Sequence, residues 1–264
     1  MKGIVLAGGL GTRLYPLTWA TNKHLLPVYN QPMVFYPIKT LVTVGIEEIL
    51  IVTGGPHAGD FIRVLKNGED LGVRHIEYAY QEGEGGIAQA LSLAENFADR
   101  EPVAVILGDN TTDADISSSI KKFHDGAVVF LKEVPDPERF GVPVFDDSKK
   151  IIQIEEKPKK PKSKYAVTGL YIYDNTVFEK IKSVNPSGRG ELEITDVNNL
   201  YIRDGKLSWS ELNGYWRDAG TFKTLFEANL YWASKGSRTS GVESPLARNR
   251  DLPGALTRKA GIKD

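Results

Sequence analysis

Gly3-Ile4-Val5-Leu6-Ala7-Gly8-Gly9-Leu10-Gly11-Thr12-Arg13 is the stretch that decides the fold. Its apolar first half, Gly3–Ala7, reads as a buried strand. Glycine then fills three of the next four positions, 8, 9 and 11. Glycines turn the chain sharply, with positive φ where needed, and remove the Cβ atoms that would keep a ligand away. The bared amides can form an anion-binding nest, and Arg13 sets a fixed cationic fork beside it. A strand running into such a loop suits a polyphosphate, and so suggests nucleotide binding followed by transfer of part of the nucleotide. The same glycines would also serve a plain strand-to-helix turn.

Two other glycine motifs do not fit. A dinucleotide fingerprint wants a glycine three residues after Gly11, where Leu14 stands, and a P-loop wants Gly-Lys-Ser/Thr, which is missing here. A second cation supports the phosphate reading: Lys23 lies ten residues past Arg13, within Asn22-Lys23-His24-Leu25-Leu26-Pro27.

Outward from this loop, apolar β-type runs alternate with helical patterns. Strands are expected at Gly3–Ala7, Ile49–Thr53, Arg74–Tyr80, Val103–Leu107 and Ala127–Lys132, with helices at Pro32–Val44, Ala58–Asn67, Gly86–Phe97 and Ile116–His124. This alternation predicts an α/β fold whose mostly parallel sheet is covered on both faces, with ligands at the carboxyl ends of the strands. Further strands are expected at Val142–Phe145, Ile151–Glu155, Tyr165–Tyr173 and Leu207–Leu212. From Gly236 to Asp264 periodicity is lost, and the expectation is a loosely packed, disordered or non-native tail.

Composition narrows the class. The 264 residues suffice for one sizeable α/β core, and 33 Lys and Arg against 34 Asp and Glu leave a net charge of −1. That balance gives no electrostatic case for nucleic acid or an anionic membrane as partner. With no cysteine, disulfides and thiolate catalysis are excluded. No apolar run reaches the roughly 18 residues of a membrane span. The N-terminus enters a strand without signal-peptide regions, so a cytoplasmic location is expected.

Several other residues carry chemistry. Asp109 closes the run Val103–Leu107 in Leu107-Gly108-Asp109-Asn110, where a hard oxygen ligand suits Mg²⁺ on phosphates. A strand-end turn would use the same residues. Asp218, in Trp216-Arg217-Asp218-Ala219-Gly220-Thr221, is the second metal candidate, or else part of a turn leading into a helix capped by Thr221. In Ile154-Glu155-Glu156-Lys157-Pro158, Glu156 and Lys157 point to opposite faces of an extended chain, and serve one ligand only if Pro158 breaks the strand. Gly169, inside Val167-Thr168-Gly169-Leu170-Tyr171, suggests a bulge or a close ligand approach. Arg189–Asp196 reads as a helix start with acids at the positive dipole end.

Together these motifs resemble the sugar nucleotidyltransferases, and among them the thymidylyltransferase branch. The resemblance runs from Met1 to about Lys235: Leu6–Arg13, Lys23–Pro27, Gln81 with Gly85–Ala90, Leu107–Asn110, Glu155–Pro158, Val167–Tyr171, Arg189–Asp196 and Trp216–Thr221 occur in the family's order. It implies a Rossmann-like nucleotide-binding part, about 1–132, with an inserted sugar-binding part, about 133–235. The implied reaction joins dTTP and glucose 1-phosphate into a nucleotide sugar and pyrophosphate with Mg²⁺.

By the same resemblance, Leu6, Gly8, Gly9, Gly11 and Thr12 cradle the nucleotide, Gln81 and Gly86 read its base, and Arg13 and Lys23 act on its phosphates. Asp109 and Asp218 match the metal carboxylates. Gly141, Glu156, Gly169 and Tyr171 match the sugar pocket, and Lys157 and Arg189 the groups that hold the incoming sugar phosphate. Many thymidylyltransferases carry Gln where this chain has His24; a position near the base or ribose would bear on dTTP against UTP. The family's C-terminal helices, associated with assembly and feedback, are not recognisable after Lys235. Neither their tetramer nor their regulatory site is carried over, and a homo-oligomer built otherwise stays open. Two other readings are the same chemistry with UTP or another sugar 1-phosphate, and a non-catalytic nucleotide-sugar sensor. Retention of Arg13, Lys23, Asp109, Lys157 and Asp218 argues against the sensor.

Overall fold

Strand β1 (Lys2–Ala7) ends where the glycines begin. The computed structural model describes residues 1–236 of the chain. After β1 come three single 3-10 turns, Thr12–Leu14, Leu17–Trp19 and Lys23–Leu25, and a minimal hairpin of β2 (Pro27–Val28) and β3 (Gln31–Pro32). This hairpin takes up Pro32, so helix α1 (Phe35–Thr43) starts three residues later than the sequence pattern suggests. Next are β4 (Glu48–Gly54), α2 (Ala58–Leu65) and β5 (His75–Gln81).

The helix expected over Gly86–Phe97 is two helices, α3 (Ile87–Ser92) and α4 (Glu95–Ala98). The Ser92 hydroxyl donates back to the Gln89 carbonyl, and Leu93 and Ala94 close i−3 bonds onto Ala90 and Leu91, which tightens and ends the first helix. Then follow β6 (Val103–Leu107), β7 (Asn110–Thr112), α5 (Ser117–Lys122) and β8 (Ala127–Glu133). The later part supplies β9 (Gly141–Phe145), β10 (Ile151–Glu156), β11 (Tyr165–Tyr173), α6 (Val177–Ser183), α7 (Ile194–Arg203), β12 (Leu207–Glu211), β13 (Trp216–Asp218) and α8 (Phe222–Gly236). Gly236, expected to open the tail, is the last residue of α8; the rest of that expected tail, 237–264, lies outside the described residues.

Among the described residues, nine strands form one sheet in the order β10-β9-β11-β6-β1-β4-β5, with β8 on β11 and β12 on β8. Its centre, β6-β1-β4-β5, is parallel. β11 joins antiparallel to β6, β8 and β9. Side chains alternate across β1: Ile4 and Leu6 enter one core with α3, α6 and α7, and Val5 and Ala7 the other with α1 and α2. A third, small core seats α8 through Ala228 on Leu14, Val28, Met33 and Tyr36 of the N-terminal segment. The register of β11 against β8 shifts between Val167 and Tyr171, the bulge anticipated at Gly169. Among the described residues no helix is long and apolar enough to cross a membrane.

Two very short strands matter most for the site. β7 and β13 pair antiparallel with Asn110 opposite Asp218. That pairing carries the far end of the chain back to the carboxyl end of β6, and joins two segments more than 100 residues apart.

Candidate active site

The glycine loop forms one wall of a cleft of about 350 Å³ lined by Leu6, Gly8, Gly9, Arg13, Lys23, Gln81, Gly86 and Asp109, among others. Gly9 and Gly11 have φ of 87° and 66°. A Cβ on Gly11 would stand 2.9 Å from the Lys23 Cβ, so this glycine is what lets the lysine stem fold under the loop. A Cβ on Gly8 would collide with the Gln81 carboxamide. Gln81 is buried, and its Nε2 donates to the Gln89 Oε1 and to the Gly86 carbonyl. Thr12 lies exposed at the rim.

Lys23 donates to Asp109 Oδ2 at 2.7 Å, while Asn110 Nδ2 donates to Oδ1 at 3.0 Å. Burial alone raises the Asp109 pKa, but the Lys23 ammonium and these hydrogen bonds overcome it and hold the carboxyl well below the usual carboxylate range. Asp218 differs. Burial, reinforced by the charge of Asp109, raises its pKa to about 6 against the pull of Arg139, Arg217 and Arg13. A Cβ built on Gly220 would lie 3.1 Å from Arg13 Nη2, 3.5 Å from Asp109 Oδ2 and 3.7 Å from Asp218 Oδ2. The three side chains therefore converge on one point, which glycine keeps open.

Asp218 Oδ1 is buried with no hydrogen-bond partner. An unpaired buried acceptor is costly, and a cation is one group that would satisfy it. Two carboxylates at the mouth of the glycine loop match the hard oxygen set that Mg²⁺ takes, since that ion relies on one or two protein carboxylates plus phosphates and water. Among the described residues no cluster of three or more acidic, His or Cys groups offers a full protein cage.

A second group gathers at the end of β10. Glu156 Oε2 accepts from Thr195 at 2.6 Å, and Oε1 lies 3.6 Å from Lys157 Nζ and 3.5 Å from Arg189 Nη2. The strand ends at Glu156, and Lys157, with φ of 44°, leaves it so that its ammonium comes near the Glu156 carboxylate. A Cβ on Gly141 would touch Thr195 Oγ1 at 3.3 Å and Glu156 Oε2 at 3.7 Å. Tyr171 is buried, with its phenol pKa raised by burial and by the Glu156 charge. Gly169 donates to Asn110 Oδ1 at 3.1 Å, so its close approach is to Asn110 and to Leu107. Arg189 is not in a helix: α7 starts at Ile194, and the guanidinium forks onto Glu193 at 2.8 and 2.9 Å.

Sequence reasoning missed Arg139, which donates to Asp218 Oδ2 at 2.9 Å, and Asn110, Glu193, Thr195 and Gln89, which hold predicted residues in place. It also missed Glu84, which accepts from the Leu10 amide at 3.0 Å, and Glu191, which lines the cleft and sits 3.6 Å from Arg189. Gln89, Asn110, Glu191, Glu193 and Thr195 lie inside the motifs without standing out in them, whereas Glu84 and Arg139 lie in none and only folding brings them in. His24 is 1% exposed. Its Nδ1 bonds Asn22 Oδ1 at 2.7 Å, and its ring lies against Gly108. Burial, with the Lys23 charge, lowers its pKa to about 3, so it is a neutral support beside the Lys23–Asp109 pair.

The chain was compared with known proteins. The nucleotidyl transferase family pattern matches residues 2–235. A glucose-1-phosphate thymidylyltransferase of Neisseria meningitidis serogroup A is 46% identical over 235 residues, 86% of this chain and 81% of that protein. One from Actinoplanes sp. is 46% identical over 236 residues, 88% of this chain and 78% of that protein. A Bacillus anthracis structure assigned the same activity, solved in complex with sucrose, is 51% identical with a TM-score of 0.83, covering 88% and 94% of the two chains. A UDP-glucose pyrophosphorylase complexed with UDP-glucose is 25% identical with a TM-score of 0.79, covering 89% and 98%.

Proposed function

The chain belongs to the nucleotidyl transferase family, and on that premise we propose that it transfers the thymidylyl group of dTTP to glucose 1-phosphate, giving dTDP-glucose and pyrophosphate. The observation that carries this reading is the convergence of Arg13, Asp109 and Asp218 on Gly220 at the mouth of the glycine cleft.

The reading divides the labour along the chain, with the nucleotide held by about 1–132 and the sugar phosphate by about 133–235. Leu6, Gly8, Gly9, Gly11 and Thr12 seat the triphosphate, and Gln81 and Gly86 face its base. Glu156, Gly141, Gly169 and Tyr171 shape the sugar pocket, and Lys157 and Arg189 take its phosphate. An oxygen of that phosphate forms a bond to the α-phosphorus in line with the bond to the β-phosphate, which breaks and releases pyrophosphate with the electron pair. The attacking oxygen is already ionised at neutral pH, so no general base is needed.

What opposes the step is repulsion between two anions, and Arg13, Lys23, Lys157 and Arg189 offset it. Holding the reactants in line supplies about 7–11 kcal/mol in favourable cases. Asp109 and Asp218 fit the Mg²⁺ of the reaction, which when bound adds charge neutralisation across the triphosphate. The same reading puts the enzyme in the cytoplasm.

Likeness to a structure holding UDP-glucose makes UTP the specific competitor. Pyrophosphate release with Mg²⁺ and glucose 1-phosphate, run against dTTP, UTP, CTP, ATP and GTP, tests the reading. dTTP is expected to give the highest kcat/KM. UTP winning would move the base assignment, and no release from protein that still binds nucleotide would favour the sensor.

A further inference from the structure

Asp218 is asymmetric: Oδ2 receives the Arg139 guanidinium at 2.9 Å, while Oδ1 is buried without a partner. Arg139 belongs to the turn Pro137–Arg139, and its geometry is fixed from several sides. Its other nitrogen, Nη1, donates to Asp136 Oδ2 at 2.8 Å. Its guanidinium lies 5.1 Å from the Phe140 ring centroid, and that ring meets Trp216 of β13 edge-on at 5.5 Å. Asp136 Oδ1 sits 3.5 Å from Arg217 Nη1, and Arg217 Nε donates to Glu227 of α8 at 2.8 Å. Alternating charges thus run from α8 through Arg217, Asp136 and Arg139 to Asp218.

We infer that Arg139 is the positioning residue of Asp218: it grips Oδ2, the oxygen that faces Asp109 and Arg13, so fixes how the carboxylate is presented to a divalent cation, and is itself held to this task by Asp136. The inference rests on the metal-site reading above. A free carboxylate can bind a cation through both oxygens, which suits larger ions with flexible shells. Mg²⁺ demands near-octahedral geometry and keeps several waters, so a carboxylate held at a fixed angle serves it better. Arg139 also sets a positive charge on the Asp218 carboxylate, which offsets the charge of Asp109 beside it. On this reading the charge chain acts through Asp218.

The experiment follows Mn²⁺ binding by water-proton relaxation enhancement, with dTTP present and sugar phosphate left out, so that no turnover is read. Wild-type protein is compared with R139M, R139K and D136N, each first checked by circular dichroism and thermal melting. R139M is expected to raise half-saturating Mn²⁺ by roughly 10- to 100-fold, the range seen when groups supporting a metal ligand are removed. R139K should recover part of the loss, and D136N should shift the same way by less. dTTP affinity measured without metal should stay unchanged in all three. Mn²⁺ binding in R139M and D136N equal to wild type would overturn the inference. Should R139M fail to fold, D136N decides alone, and an unchanged half-saturation there overturns it. A wild type without enhancement would instead overturn the metal-site reading, and the inference with it.

Discussion

His24 shows how one side chain can line a cleft and also work as a strut. Beside the motif lysine it suggests a part in choosing the base, yet it is buried against Gly108 and bonded to Asn22. Its pKa, lowered to about 3 mainly by burial, fixes a sign. Below pH 6.5 the unfolded chain takes up a proton that the folded chain refuses, so this contribution to stability is complete above 6.5 and is lost as pH falls toward 3. We expect urea-unfolding stability to gain an acid slope of up to about 1.4 kcal/mol per pH unit from this residue. His24→Gln should flatten that slope between pH 6.5 and 5; an unaltered slope would assign it elsewhere. Arg13, Lys23, Asp109 and Glu156 were legible in the sequence because each stands beside a glycine loop or a strand end. Arg139 and Glu193 were not, since their spacing along the chain says nothing of the carboxylate and guanidinium they meet.

Elements of three residues cannot display a period, which is why β7 and β13 escaped a reading that placed the main strands to within a residue or two. The site nevertheless depends on their pairing, and Asn110 is its keystone. Its Oδ1 accepts from the Gly169 amide at 3.1 Å and from Trp216 Nε1 at 2.6 Å, and its Nδ2 donates to Asp109. Asn110→Ala leaves two buried donors unpaired, each worth about 1–3 kcal/mol. A loss of about 2–4 kcal/mol in urea-unfolding stability is expected, with a fall in kcat as Asp109 loses its neighbour. A variant as stable as wild type would show that the pairing survives without Asn110. The split between α3 and α4 was hidden for a related reason: the apolar pattern runs on through Leu93 and Ala94, and the break comes from hydrogen bonds that the pattern does not encode.

Across the whole molecule, the alternation of strands and helices gave away the parallel centre of the sheet, since strands buried on both faces read as continuous apolar runs. The antiparallel joining of β11 to three neighbours needed the structure, because strand direction leaves no mark on a run of apolar residues. α8 closes the described chain over the N-terminal segment, and Tyr231 and Lys235 both bond Asp113 near its end. All the proposed substrate and metal residues precede that helix. A chain ending at Gly236 keeps every one of those residues, and is therefore expected to hold kcat and both KM values within about twofold. A collapse of activity in this shortened chain would put residues 237–264 into the working enzyme.

The pairing of charges has a last consequence. Lys23 is held by Asp109, Lys157 by Glu156 and Arg189 by Glu193. An incoming anion finds these cations already engaged and gains one only as a carboxylate gives it up. Stray phosphate or sulfate, which can replace one partner at most, profits little from such a trade. A ligand that engages several pairs at once profits at each of them. The cleft is thus an exchanger rather than a magnet, and its quiet surface is a source of discrimination.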